Sequence, residues 1–200
     1  MSRMSTAAEP GRCARRAALW ALILLLVLTG SGYASSRASQ ASSIGPVREI
    51  RLGVAKHDVN NLWSRSSKEK GQDLIAEVIF NYPLFRLLSA EAYPNAGLSL
   101  NTRGDTSKVY GGFLLRWKLA SSFFFSTGLG LTLHNGKLNT DARHRKSLGS
   151  RVLFRIPIEF GVLLGRHHVI SLAFDHMSNA GLASPNEGLD TVGVVYGYHF

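Results

Sequence analysis

The strongest constraint on this chain is a side-chain alternation that repeats in eight separate segments. In Arg151–Val162, the residues Val152, Phe154, Ile156, Ile158, Phe160 and Val162 fall on one face, and Arg151, Arg155, Glu159 and Gly161 on the other. Successive residues of a β-strand point to opposite sides, so this period of two specifies a strand with one apolar and one polar face. The same pattern recurs in Val47–His57, Gln72–Tyr82, Asn95–Thr102, Lys108–Lys118, Ser122–His134, His168–Ser178 and Asp190–Phe200. In a soluble sandwich the apolar faces would pack on a second sheet. Here the opposite faces carry Arg, Glu, Asp and Gly on segment after segment, and each run is about ten residues, the length of a tilted membrane strand. Such charges can fill the interior of a small barrel by pairing with one another, as Arg155 with Glu159. An even strand count and the terminal Tyr198-His199-Phe200 complete the pattern. The expected fold is all-β: an eight-stranded antiparallel transmembrane β-barrel of the outer membrane.

The N-terminus reads as a processing segment. Arg12, Arg15 and Arg16 precede an apolar run, Ala17 to Leu28, too short to span a bilayer as a helix, and Gly32-Tyr33-Ala34 has the small-x-small form of a cleavage site. The expected organisation is a signal peptide over 1–34, a Ser/Ala-rich linker over 35–46 and the barrel over 47–200. The single cysteine, Cys13, would leave with the signal, which excludes disulfides and thiolate chemistry from the mature chain. The formal charge of +10 includes four arginines and one glutamate of that segment, so the mature chain would carry +7. An exported basic chain rarely meets nucleic acid. Anionic lipid head groups are the expected partner, and nucleic acid is not.

Long polar connections follow the first, fifth and seventh segments (Asp58–Gly71, Asn135–Gly149 and Asn179–Leu189), whereas Gly165-Arg166 is a tight turn. Long loops of such barrels face outward and short turns the periplasm. The connection after the second segment, Pro83–Tyr93, is long for a periplasmic turn. With both termini periplasmic, the seventh segment ends at the outer leaflet. There Ile170, Leu172 and Phe174 share their face with His176 and Ser178, and Asp190 opens the next apolar run in matching parity. Polar groups held against hydrocarbon are costly, so they read as functional. A hydroxyl two residues from an imidazole, with a carboxylate on the adjacent strand, is the set a serine nucleophile needs. These residues suggest a serine hydrolase acting on a lipid, with oxyanion donors from Asn179, the Ala180-Gly181 backbone or Asn186.

His176-Met177-Ser178-Asn179-Ala180-Gly181-Leu182, followed by Pro185-Asn186-Glu187-Gly188 and Asp190, resembles the signature of the lipid A 3-O-deacylase family, PagL. The match is strong over about the last thirty residues, and the family is an eight-stranded outer-membrane barrel. The resemblance implies an esterase that removes the ester-linked acyl chain at position 3 of lipid A with a Ser–His–Glu triad on the barrel's outer face. Its serine, histidine and asparagine fall on Ser178, His176 and Asn179. Its glutamate falls on Asp190, one methylene shorter, which implies a longer contact to His176 or a backbone shift. Glu187 is the second candidate for the acid, with the matching residue type but in the loop.

Two basic clusters, Arg143-His144-Arg145-Lys146 and Arg65, Lys68 and Lys70, read either as contacts to lipid A phosphates or as solvated loop. His167-His168, His134 and His144 lack ligand spacing, so no metal is expected, and no soluble cofactor is implied. Two other readings compete with the lipopolysaccharide esterase: from another class, a non-catalytic small outer-membrane barrel for adhesion or envelope integrity, and, on the same scaffold, another lipid hydrolase or acyltransferase.

Overall fold

The computed structural model describes residues 45–64 and 66–200. The expected signal peptide and most of the expected linker lie outside the described residues. Strands β1 (Val47–Lys56), β2 (Gln72–Phe80), β3 (Phe85–Leu87), β4 (Ala90–Asn101), β5 (Lys108–Lys118), β6 (Phe123–His134), β7 (Val152–Leu164), β8 (His168–Ser178) and β9 (Leu189–His199) form one antiparallel sheet. Its order is β2-β1-β9-β8-β7-β6-β5-β4-β3, and a further β2–β4 pairing closes it. Closure leaves no unpaired edge among the eight long strands, the condition for crossing hydrocarbon with strands.

Beside the eight long strands expected of the barrel stands one short addition, β3. It is a three-residue element folded from the connection after β2, and it pairs only with Ala90–Ala92 at the start of β4. Leu88 and Ser89 both take positive φ, 47° and 73°, which makes the two-residue hairpin turn whose twist matches antiparallel strands. The expected third strand therefore starts five residues early, at Ala90 rather than Asn95. Pro94 obscured this start, because proline inside a run argues against a central strand. It sits where β4 changes partner from β3 to β2.

Parity divides the barrel as the alternation requires. Leu52, Leu172, Phe160 and Val194 remain 55–59% exposed on the outer face, while Arg51, Glu49, Glu77, Glu159 and Arg155 are buried inside. The expected Arg155–Glu159 pair does not form. Arg155 instead meets Asp175 at 2.7 Å, and Glu159 accepts from Arg51 at 2.7 Å. Residues four apart on a strand stand parallel and roughly 13 Å from each other, whereas barrel curvature brings side chains of distant strands together at the axis. Arg51 reaches Glu77 of β2 as well as Glu159 of β7, and Arg116 of β5 meets Glu49 of β1 at 2.8 Å. The core is thus a chain of alternating charges, each paired, as burial demands.

Four outer loops follow: L1 (57–71), L2 (102–107), L3 (135–151) and L4 (179–188). Inside their end of the barrel, Leu148, Leu153, Met177 and Leu189 form an apolar cluster.

Candidate active site

The site is built on the last two strands. Pairing of β8 with β9 sets His176 directly opposite Asp190, and pairing with β7 sets Ser178 opposite Phe154. The chain neighbours of these residues, Met177 and Leu189, point inward and are fully buried in the apolar cluster of the mouth. Close packing there fixes the backbone on which His176, Ser178 and Asp190 stand.

His176 Nδ1 lies 2.6 Å from Asp190 Oδ1, and His176 Nε2 lies 3.0 Å from Ser178 Oγ. An ionised carboxylate only accepts, so Nδ1 carries the proton. In the neutral ring Nε2 then presents its lone pair to the Ser178 hydroxyl, which donates. The shorter aspartate is therefore accommodated without a longer contact. Gly188 lies behind the pair at φ 64°, where a Cβ would come within 3.2 Å of His176 Cε1. A side chain there would be strained by the backbone and would press on the imidazole.

The cover over Asp190 has no counterpart among the sequence expectations. Although its parity is outward, Asp190 is fully buried. Its Oδ2 accepts the main-chain N–H groups of Trp63 and Ser64, each at 2.7 Å, and its carbonyl accepts the N–H of Val59 at 2.8 Å. The Trp63 indole stands edge-on to His176, centroids 5.0 Å apart, and to Phe174 at 5.5 Å. Backbone donors leave no residue-type signal, so only the half-apolar Leu62-Trp63 pair within a polar loop hinted at this contact.

Glu187 is placed elsewhere. It pairs with Lys68 of L1 and accepts the Ser147 N–H of L3 at 2.6 Å, tying three loops together. Partial burial opposes its charge, but the Lys68 and Ser147 hydrogen bonds outweigh this and hold it below the ordinary carboxylate range. Of the proposed oxyanion donors, Asn179 commits its side-chain NH2 to the carbonyls of Leu148 and Pro185, at 3.1 and 2.9 Å. The Gly181 N–H goes to Asn179 Oδ1 at 2.9 Å. These two residues shape the loop. Asn186 accepts the Asn179 N–H through its oxygen, which leaves its own NH2 group without a partner among the described residues.

The basic clusters divide in the same way. Lys146 is fully buried against Asp58, at 3.2 Å, and Arg145 pairs with Asp105, so neither is available to a phosphate. Lys68 is held by Glu187. Arg143, His144 and Lys70 are exposed, and Arg65 lies outside the described residues.

Fold and site together define a class: an outer-membrane barrel whose outer face holds a hydroxyl, an imidazole and a buried carboxylate in hydrogen-bonded sequence. Residues 62–199 match the family described as lipid A 3-O-deacylase (PagL), and the chain belongs to that family. It is 36% identical over 87 residues to the lipid A deacylase PagL of Bordetella bronchiseptica, a match covering 44% of this chain and 47% of that protein. The chain thus matches about half the length of this curated relative. Among solved structures, the outer membrane enzyme PagL superposes with a TM-score of 0.51 at 18% identity, covering 75% of this chain and 99% of that one. Neisserial surface protein A superposes with a TM-score of 0.50 at 8% identity, covering 76% and 96%. At these identities the likeness is one of fold.

Proposed function

We propose that this protein is an outer-membrane esterase that removes the 3-O-linked acyl chain of lipid A, with Ser178 as nucleophile, His176 as base and Asp190 as the orienting acid. The observation that carries the reading is the unbroken line of hydrogen bonds Ser178–His176–Asp190 on the lipid-facing side of the barrel, 3.0 and 2.6 Å long. On a face otherwise built of Leu, Ile, Val and Phe, such a line has no packing advantage.

In the reaction, Ser178 Oγ attacks the ester carbonyl carbon as its proton passes to His176 Nε2. The imidazolium is stabilised through Nδ1–H by Asp190, which stays ionised. The tetrahedral intermediate then collapses, the bond to the sugar oxygen breaks, and the proton on Nε2 passes to that oxygen. Water, deprotonated by the same nitrogen, attacks the acyl-Ser178 carbonyl; the bond to Oγ then breaks, the proton on Nε2 returns to Oγ, and the fatty acid leaves. The free NH2 group of Asn186 is the donor best able to serve the oxyanion, since Asn179 and Gly181 are committed to the loop. The substrate is a component of the outer leaflet, at whose level β8 ends, so the enzyme reaches its ester by lateral diffusion and needs no soluble cofactor.

Mass spectrometry of lipid A from cells expressing the chain, beside Ser178→Ala, tests this reading. The expected result is loss of one hydroxy-acyl group, absent with the variant. Unchanged lipid A with the barrel folded in the outer membrane would reject it in favour of a structural barrel or another lipid substrate.

A further inference from the structure

The two oxygens of Asp190 serve different parts of the molecule. One meets His176 within the β8–β9 pair; the other meets two amides of L1, a loop 126 and 127 residues away in sequence. A carboxylate gripped on both oxygens cannot rotate without losing one set of bonds, so L1 sets the direction in which Asp190 accepts from Nδ1. The Val59 N–H on the Asp190 carbonyl pins the same loop to the same residue.

L1 is itself held from inside the barrel mouth. Asp58, buried and at φ 47°, accepts the N–H groups of Lys68 and Glu69 at 2.6 and 2.9 Å, folding the loop back on itself. Lys146 of L3 then fills the fold. Its Nζ meets Asp58 Oδ1 at 3.2 Å and donates to the carbonyl of Ser66, and its N–H donates to Glu69 Oε1 at 3.1 Å. Both side chains of the Asp58–Lys146 pair are fully buried. A buried pair is weak evidence for stability, because two desolvated charges gain little over an apolar pair, but it is well suited to selecting one loop conformation.

We propose that L1 is the orienting element of the site: the Trp63 and Ser64 amides position Asp190, and the buried Asp58–Lys146 pair keeps L1 where they can do so. This inference rests on the catalytic reading of Ser178, His176 and Asp190. Asp58 and Lys146 are positioning residues, acting on the chemistry only through the loop.

The test uses the full chain, refolded in detergent and assayed on lipid A in mixed micelles, with folding checked by heat-modifiable mobility. Ser64→Pro deletes one of the two donors, and Lys146→Met removes the buried cation while keeping its stem. Each is expected to lower kcat roughly 10- to 100-fold with KM within about two-fold, the signature of misplaced catalytic groups rather than lost binding. Asp190→Asn added to Lys146→Met is expected to cost far less than Asp190→Asn alone, because the acid is already misdirected. If Lys146→Met fails to fold, the paired Asp58→Asn/Lys146→Met, which leaves no orphan charge, carries the same expectation. Folded variants with wild-type kcat, or losses that simply multiply with that of Asp190→Asn, would overturn the inference. Ser178→Ala separates the two claims. If it stays active, the catalytic reading fails; if it is inactive while the L1 variants are unaffected, only the role of L1 falls.

Discussion

Two histidines near the outer end of this barrel each bridge two partners, and their differences show how a partner sets what an imidazole can do. His57, inside the mouth, has Asp73 at 2.8 Å on Nδ1 and Glu69 at 3.1 Å on Nε2. His176, outside, has Asp190 on Nδ1 and the Ser178 hydroxyl on Nε2. Two carboxylates demand two donors, so His57 is a fixed cation without a lone pair. Burial works against that charge, but the hydrogen bonds to Asp73 and Glu69 outweigh it and raise the group to about 9. Glu69 responds in kind: burial opposes its ionisation, yet His57 and Thr106 bring it down to about 2. A hydroxyl makes no such demand. It can donate to a neutral ring and be drawn toward nucleophilicity by it. The same side chain is thus a structural rivet in one place and a proposed base in the other, and the partner on the second nitrogen decides which.

The largest effect is expected where the hydroxyl is removed. Ser178→Ala should lower kcat by about 10⁴-fold or more, measured as fatty acid released from lipid A, with the barrel still heat-modifiable on gels. Asp190→Asn should cost on the order of 10³-fold, because an amide can hold His176 in the wrong tautomer. His57→Leu strands Asp73 and Glu69 together in the mouth and should destabilise the barrel by about 3–5 kcal/mol in urea titrations. The wild-type contribution of His57 carries a pH signature. A group raised from 6.5 to about 9 in the folded state contributes fully below pH 6.5 and loses that contribution as pH rises through about 9. The urea midpoint should fall over that window in the wild type, and the step should vanish in His57→Gln. Glu187→Gln, which loosens the Lys68 tie without touching the imidazole, should slow turnover by less than about 10-fold. A loss equal to that of Asp190→Asn would favour Glu187, the second candidate, as the acid. Gly188→Ala, pressing on His176 from a strained backbone, should cost only about a few-fold in kcat.

Most of the barrel was legible because its information is local. The period of two in Val152–Val162 or Ile170–Ser178 needs no partner to be seen, and it put His176 and Ser178 on the lipid face. The short β3 was missed because Pro94 broke the pattern and the turn at Leu88-Ser89 has no glycine or asparagine to mark it. The interior pairs were misassigned for a different reason. Arg155 and Glu159 are close in sequence, but the curvature of the closed sheet gave Arg155 to Asp175 and Glu159 to Arg51. Lys146 read as surface charge because a buried lysine looks no different in sequence from a solvated one.

The sequence by itself determined which residues face lipid and which face the axis, since side-chain direction along a strand follows from backbone geometry alone. It also determined that His176, Ser178 and Asp190 share a face at one end of adjacent strands. Only the tertiary structure decided that Asp190 is buried under L1, that Asp58 and Lys146 hold the loop there, and that Glu187 joins loops instead of touching His176. Those contacts run between segments far apart in the chain and are made largely by main-chain amides. Every residue but proline carries one, so no choice of side chain announces them.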